Sequence, residues 1–236
     1  MEAIAVVLAA GRGLRLGANL PKAHVRVAGG SLLQWSAAAL ARAPGVSGVL
    51  PVVGPDSAAR VAEIGAGWKG PARLLDAVQG GEERQDSVAA GLRAIEAQAP
   101  DAEWVLVHDA ARCLVTPAEA AEALAAAQAT GAALLVAPVE DTLKRVEDDR
   151  VTGTLDRGAL VRALTPQVFR VALLRQALER AEADGFRGTD CSSLVERMGV
   201  EVRTCPGRAE NFKVTSPPDL ERAEAILRRR AAEDVT

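Results

Sequence analysis

At 236 residues, with 49% hydrophobic and 25% charged side chains, the chain has the length of one sizeable α/β domain and the composition of an ordinary soluble globular protein. A net charge of −3, scattered lysines and arginines, three Phe, three Trp and no Tyr exclude a general nucleic-acid binder and a base-stacking platform. Cys113, Cys191 and Cys205 are odd in number and follow no CxxC or Cys/His ligand spacing, which argues against a disulfide framework or structural zinc site and for a reducing cytoplasm. No apolar run approaches the ~20 residues that a membrane span requires.

The first apolar run, Ala3 to Leu8, has Glu2 where a signal peptide carries a basic region, so it reads as a core strand. It leads into AVVLAAGRGLRLGANLPK, a glycine-rich loop with Arg12, Arg15 and Lys22. Gly11 and Gly13 can take positive φ and present bare amides to phosphate oxygens, while Ala9 and Ala10 leave room for a base or ribose. Arg15 and Lys22 would supply charge for a triphosphate and its five-coordinate transition state. No GxxxxGK[ST] is present, and GxGxxG fails at Leu16. By itself the loop reads equally as a solvated turn after an edge strand.

Ser31 caps a helix that runs to about Arg42, and strands follow at Gly48 to Val53 and Arg73 to Leu75. GGEERQDSV, Gly80 to Val88, places Gly81, Glu82 and Ser87 at a strand-to-helix crossover that can read a base edge; Glu82, Arg84 and Asp86 read equally as a capping cluster. The next strand, Glu103 to Val107, enters VLVHDAAR, with Asp109 suited to a metal or a hydroxyl and Arg112 to a phosphate, or the two to a local ion pair. His108 reads as packed, since consecutive strand residues face opposite ways. Thr116, Pro117 and Glu119 form a capping box, Ala133 to Ala137 a strand, and EDTLKRVEDDRVTGTL a hairpin that projects from the domain. Glu201 to Thr204 is the last strand, and Ser216 with Pro217 starts a helix ending at Arg228 to Arg230. The alternation of strands and helices is that of a doubly wound sheet, with ligands at its carboxyl edge.

In order and spacing, AAGRGLRLGANLPK, GGEERQDSVAAGL, VLVHDAAR, DTLKR, TLDRGALVRALTPQVF, TDCSSLVE and NFKVTSPPDL resemble the 2-C-methyl-D-erythritol 4-phosphate cytidylyltransferases of non-mevalonate isoprenoid synthesis, across essentially the whole chain. The resemblance implies a single Rossmann-like domain, 1–236, of nucleotide-diphospho-sugar transferase type. It has a mostly parallel doubly wound sheet and a β-arm at about 140–165. It implies attack of the substrate phosphate on the α-phosphorus of CTP, with Mg²⁺ carried mainly by the CTP phosphates. Arg15, Lys22 and Arg157 would be catalytic; Ala9, Ala10, Gly11, Gly81, Glu82 and Ser87 would surround the nucleotide. Asp109, Arg112, Thr142, Arg157, Thr165 and Lys213 would line the polyol-phosphate site, with Arg157 and Thr165 serving the neighbouring subunit of a homodimer. Thr189 and Asp190 would be structural or peripheral. Neither nucleic acid nor membrane is an implied partner.

The chain departs from the family pattern at Cys113, where proline is usual, at Ala23 in PKA, at Cys191 in place of an acid, and at Glu82 and Glu210 in place of aspartate. A ribitol 5-phosphate cytidylyltransferase, a molybdenum-cofactor guanylyltransferase and a catalytically silent nucleotide-binding module are the competing readings.

Overall fold

A computed structural model describes residues 2–11 and 20–233. The first half contains β1 (Ala3–Ala9), β2 (Arg26–Val27), β3 (Gly30–Ser31), α1 (Leu32–Ala41), β4 (Val46–Val53), α2 (Ala58–Ala66), β5 (Arg73–Leu74), β6 (Val78–Gln79), α3 (Arg84–Gln98) and β7 (Trp104–Asp109). The second contains α4 (Pro117–Ala127), β8 (Ala132–Pro138), β9 (Lys144–Glu147), β10 (Arg150–Thr154), β11 (Val161–Arg170), α5 (Val171–Ala183), α6 (Cys191–Glu196), β12 (Arg203–Pro206) and α7 (Pro217–Glu233).

The main sheet has the order β12-β8-β11-β7-β1-β4-β5, with β6 also pairing with β4. β11 runs antiparallel to β7 and β8, and the other neighbours in this sheet are parallel. The period of 2 along β1 sorts its side chains between two helix layers. Ala3, Ala5, Val7 and Ala9 meet Leu33 and Leu40 of α1, and Leu124 of α4 lies in the same cluster. Ile4 and Val6 meet Leu92 and Ile95 of α3 and, further along that face, Leu174 of α5. Burial on both faces explains why the parallel strands read as unbroken apolar runs. A third cluster seats Ile226 and Leu227 of α7 over Cys113 and Leu114, in the loop after β7.

The capping signals act as the sequence predicts at two helices. Ser31 Oγ accepts from Gln34 N while Ser31 N donates to Gln34 Oε1, and Thr116 and Glu119 make the same reciprocal pair. At α7 the link runs backwards: the Asp219 carboxylate accepts the amides of Thr215 and Ser216, at 2.8 and 2.9 Å.

The hairpin is β9 with β10, turning through Asp148 and Asp149 at φ 47° and 60°, the left-handed pair of a type I′ turn. The arm ends earlier than expected. From Val161 onward the chain is β11, inside the main sheet, a strand absent from the sequence reading. Pro166 has no N–H for a ladder and argues against a central strand. The structure accommodates it with a shift in register against β8 between Ala163 and Gln167, where the Thr165–Pro166 peptide is cis. Among the described residues no helix is long and apolar enough to cross a membrane.

Gly91 sets how closely α3 approaches the sheet, because an added Cβ would lie 2.9 Å from Val6 Cγ1 and 3.3 Å from Val52 Cγ2. Gly91→Leu should therefore lower stability by about 1–3 kcal/mol, the usual range for overpacking. Urea unfolding measures this, and an unchanged midpoint would show that the helix has room to withdraw.

Candidate active site

The carboxyl ends of β1, β4, β6 and β7 lie at one edge of the sheet, where open α/β sheets bind ligands. Because β11 is reversed, its amino end reaches that same edge. Two groups of side chains gather there.

The first group surrounds the end of β1. Gly80 N donates to Val53 O at 2.9 Å, which brings Gly80 between Ala10 and Ser87; a Cβ on Gly80 would lie 2.6 Å from both Ala10 Cβ and Ser87 Oγ. Ala9 and Ser87 are buried, and Ser87 Oγ donates to Glu83 O. Gly11, Gly81 and Glu82 are exposed at the rim. Gly11 does not need the left-handed φ that its sequence context allows, and a Cβ there would meet nothing within 4 Å. Half-buried Lys22 opens a 3₁₀ turn, Lys22–His24, closed by His24 N to Pro21 O and Val25 N to Lys22 O. Arg12, Gly13 and Arg15 lie outside the described residues.

The second group is built on Asp109, at the end of β7. Its Oδ1 accepts from Arg84 Nε at 3.2 Å and its Oδ2 from Lys213 Nζ at 2.8 Å. Arg84 is the first residue of α3 and Lys213 follows β12, so one carboxylate gathers three distant segments. Arg112 donates through Nη1 to Asn211 O at 2.8 Å and through Nη2 to Ala163 O at 3.3 Å, leaving Nε buried and unpartnered. Thr165 Oγ1 accepts from Asp109 N at 3.2 Å and lies 2.9 Å from His108 Nδ1. His108 Nε2 is 3.2 Å from Arg112 O.

Thr165 thus differs from expectation. It belongs to the core strand β11, is 5% exposed, and bonds to Asp109 of its own chain rather than standing on an arm directed at a neighbour. Thr142 and Arg157 are exposed along the arm and its return, with Arg157 donating to Glu140 O.

The sequence model of the family described as IspD, 2-C-methyl-D-erythritol 4-phosphate cytidylyltransferase, matches residues 3–229. A relative of that name from Acidobacterium capsulatum is 40% identical over 243 aligned positions, covering 98% of this chain and 100% of its own. Another, from Stenotrophomonas maltophilia, is 44% identical, with 96% and 97% covered. The solved structure of the Thermus thermophilus enzyme of that name superposes with a TM-score of 0.76 at 35% identity, covering 94% of this chain and 98% of its own. The chain belongs to the 2-C-methyl-D-erythritol 4-phosphate cytidylyltransferase family.

Several departures from the cytidylyltransferase pattern now have local explanations. Cys113, in place of proline, is buried under α7, and its loop is held by Arg112 N to Asp109 O, Val214 N to Ala111 O and Arg230 Nη1 to Leu114 O. Cys191 accepts from Arg84 Nη1 at 3.2 Å, and burial pushes its thiol up, so the contact at neutral pH is a weak N–H···S bond beside the Asp109 pair. Glu210 pairs with Arg229 and Arg230 of α7. Ala23 is buried in the core near α1. Asp190 caps α6 through Ser193 N and accepts from Gln167 Nε2, a structural role as anticipated.

Sequence reasoning missed Arg84 as a partner of Asp109 and missed Asn211 altogether. In sequence Arg84 belongs to a capping cluster, and that cluster is real in part, since Asp86 Oδ2 accepts from Glu83 N. No local signal pairs residues 84, 109 and 213, and Asn211 entered the sequence reading only inside the NFKVTSPPDL motif.

The electrostatics follow from these contacts. Burial alone would raise the Asp109 carboxyl, but Arg84 and Lys213 outweigh it and hold the group well below the usual carboxylate range. Burial lowers Arg112, with Arg162 and Arg84 acting in the same direction against Asp109, and Arg84, Arg112 and Lys213 outnumber the single carboxylate of the cluster. Among the described residues no cluster of three or more His, Cys, Asp or Glu could hold a metal, and both Asp109 oxygens already face cations.

Burial lowers His108 from 6.5 to about 4, with Asp109 opposing and Arg112 reinforcing the shift. A lowered histidine pKa means that the unfolded chain binds the extra proton, so this contribution is complete above about pH 6.5 and is lost as pH falls towards 4. The full loss is about 3 kcal/mol. Melting temperatures measured from pH 7.5 to 4 should fall more steeply for the wild type than for His108→Gln, and parallel curves would contradict the buried neutral imidazole.

Proposed function

We propose that the protein transfers CMP from CTP to 2-C-methyl-D-erythritol 4-phosphate, forming 4-diphosphocytidyl-2-C-methyl-D-erythritol and pyrophosphate. The observation that carries this reading is the second cluster: an ionised Asp109 set among Arg84, Arg112 and Lys213 at the sheet edge where the glycine-rich loop departs. A carboxylate has about four lone-pair sites, of which two are taken here, so Asp109 retains acceptors for polyol hydroxyls. The excess of cations over the one carboxylate, Arg84, Arg112 and Lys213 against Asp109, favours the substrate's phosphate.

The acceptor phosphate is itself the nucleophile, so no side chain has to form a covalent intermediate. The protein's work is to align two polyanions and neutralise the α-phosphoryl group as a fifth oxygen approaches. Lys22 and Arg15 are assigned to that group, and Ala9, Ala10, Gly11, Gly81, Glu82 and Ser87 to the nucleotide. Mg²⁺ enters as part of the substrate, bound to the CTP phosphates, in keeping with a carboxylate already engaged by cations. We place the enzyme in the cytoplasm, where its free, buried cysteines remain reduced.

Purified protein with CTP, Mg²⁺ and methylerythritol 4-phosphate should release pyrophosphate, whereas other nucleoside triphosphates or ribitol 5-phosphate should not. Preference for ribitol phosphate would overturn the acceptor assignment. Lys22→Ala should reduce turnover by roughly 100-fold or more with little change in folding, the scale for loss of a transition-state donor. A normal rate would remove that lysine from the mechanism.

We further assign a homodimer in which the arm carries Arg157 to the neighbouring site. Support comes from Val146 and Val151, which face each other across the hairpin and are 56% and 64% exposed, an apolar pair suited to a second subunit. If Lys22 acts in its own subunit and Arg157 in its partner's, mixing the inactive Lys22→Ala and Arg157→Ala proteins restores one intact site per mixed dimer. Random exchange should then recover about a quarter of wild-type activity. No recovery, with subunit exchange verified by mass, would place both residues in one chain's site.

A further inference from the structure

The buried side of the acceptor pocket contains a histidine that the proposed reaction leaves without a role. His108 is fully buried on β7, and each ring nitrogen meets a residue assigned to the polyol-phosphate site. The Arg112 carbonyl is only an acceptor, so His108 Nε2 must carry the hydrogen that bonds to it. In a neutral ring Nδ1 is then an acceptor, and the single hydroxyl hydrogen of Thr165 points to it. The other face of that oxygen accepts from the Asp109 amide. The result is a directed chain, Asp109 N–H to Thr165 O–H to His108 Nδ1, and His108 Nε2–H to the Arg112 carbonyl. The reverse tautomer would set two lone pairs against each other at Arg112 and leave Thr165 without an acceptor on the ring.

We propose that His108, as the neutral Nε2–H tautomer, is a positioning residue for the acceptor substrate, fixing the Asp109 backbone and the Arg112 loop relative to each other through Thr165. The proposal rests on the assignment of this pocket to methylerythritol phosphate. Its chemistry requires only that the ring remain neutral and keep one donor and one acceptor. Arg112 is held at both ends: its carbonyl by His108 and its guanidinium by the carbonyls of Asn211 and Ala163. Asn211 Nδ2 in turn donates to Thr165 O at 2.9 Å, so β11 is clamped from both sides of Thr165. A ring that touches no substrate can therefore set the angle between the hydroxyl-binding carboxylate and the phosphate-binding guanidinium. The charged groups that act on it are Asp109 and Arg112.

The test uses His108→Asn, His108→Gln and His108→Leu in the full-length protein. Asn places an acceptor near the Nδ1 position, Gln places a donor near Nε2, and Leu supplies neither. In steady-state kinetics, Leu should lower kcat/KM for methylerythritol phosphate by about 10-fold or more, the scale of one or two hydrogen bonds, with KM for CTP within about twofold. Asn and Gln should each recover part of the loss. Equal loss towards both substrates, or wild-type kinetics in the Leu variant, would overturn the proposal. Should these variants fail to fold, ¹⁵N-histidine NMR of the wild type decides, because the chain has only two histidines, His24 and His108. A protonated Nε2 and bare Nδ1 at neutral pH support the chain of bonds, and an Nδ1–H signal refutes it. A wild type that is inactive with methylerythritol phosphate but has the expected tautomer would contradict the substrate assignment while leaving the bonding intact; an active wild type with the wrong tautomer would do the opposite.

Discussion

The site is organised around a charge that cannot be buried alone. Asp109 ends a strand whose residues are all buried, and a carboxylate there is tolerated only when paired and hydrogen-bonded. Its partners come from the start of α3 and from the segment after β12. One ion triad therefore tells α3 where to begin and the chain's last third where to pass. Removing Asp109 would leave Arg84 and Lys213 without their carboxylate, and breaking a buried ion pair from one side is usually more damaging than replacing the whole group by apolar side chains. A stability argument alone would not favour such a triad. Its value lies in leaving a fixed, ionised acceptor beside cations at the sheet edge.

The reversal of β11 is the second constraint. In a wholly parallel sheet, the strand between β7 and β8 would send its carboxyl end to the ligand edge. Running backwards, it delivers Val161 to Thr165 instead and lets the arm, β9 with β10, leave and return at that same edge. The two polar side chains that this buries on β11 are bonded: Thr165 is used at both its hydroxyl and its carbonyl, and Gln167 bonds to Asp190 and to Cys191 N. Buried polar bonds of this kind favour one arrangement, because breaking them strands a donor or an acceptor.

Much of this was legible in the residues. Alternation along β1, the capping boxes of α1 and α4 and the hairpin turn at Asp148 and Asp149 are local effects of period, cap chemistry and turn sterics, and local effects survive in a sequence. The motif-bearing residues Asp109, Arg112, Thr165 and Lys213 do converge. β11 was illegible because Pro166 is a true obstacle to a central strand, and the sheet accommodates it by a shift in pairing that no propensity encodes. The role of Arg84 was illegible for a different reason: in sequence it sits among Glu83 and Asp86, either of which is a closer candidate partner than an aspartate 25 residues away. Ser216 and Pro217 do mark the start of α7, and what the sequence did not show is that Asp219 reaches back to the Ser216 amide.

The separation between Asp109 and Lys213 has a consequence for how the molecule is made. The two lie 104 positions apart, and Arg112 with its acceptor at Asn211 spans 99. At synthesis rates of about 5–20 residues per second, Asp109 is made roughly 5–20 s before the lysine that neutralises it. During that interval Arg84 is the only member of the triad available to Asp109, and the Arg112 side chain lacks its Asn211 carbonyl. The amino-terminal strands can dock on α1 and α3 early, but the cluster around Asp109 and Arg112 is complete only when the segment beyond β12 reaches it. Assembly of this cluster is thereby tied to completion of the chain, and a nascent fragment that ends before Asn211 and Lys213 has folded strands but not the group that Asp109 organises.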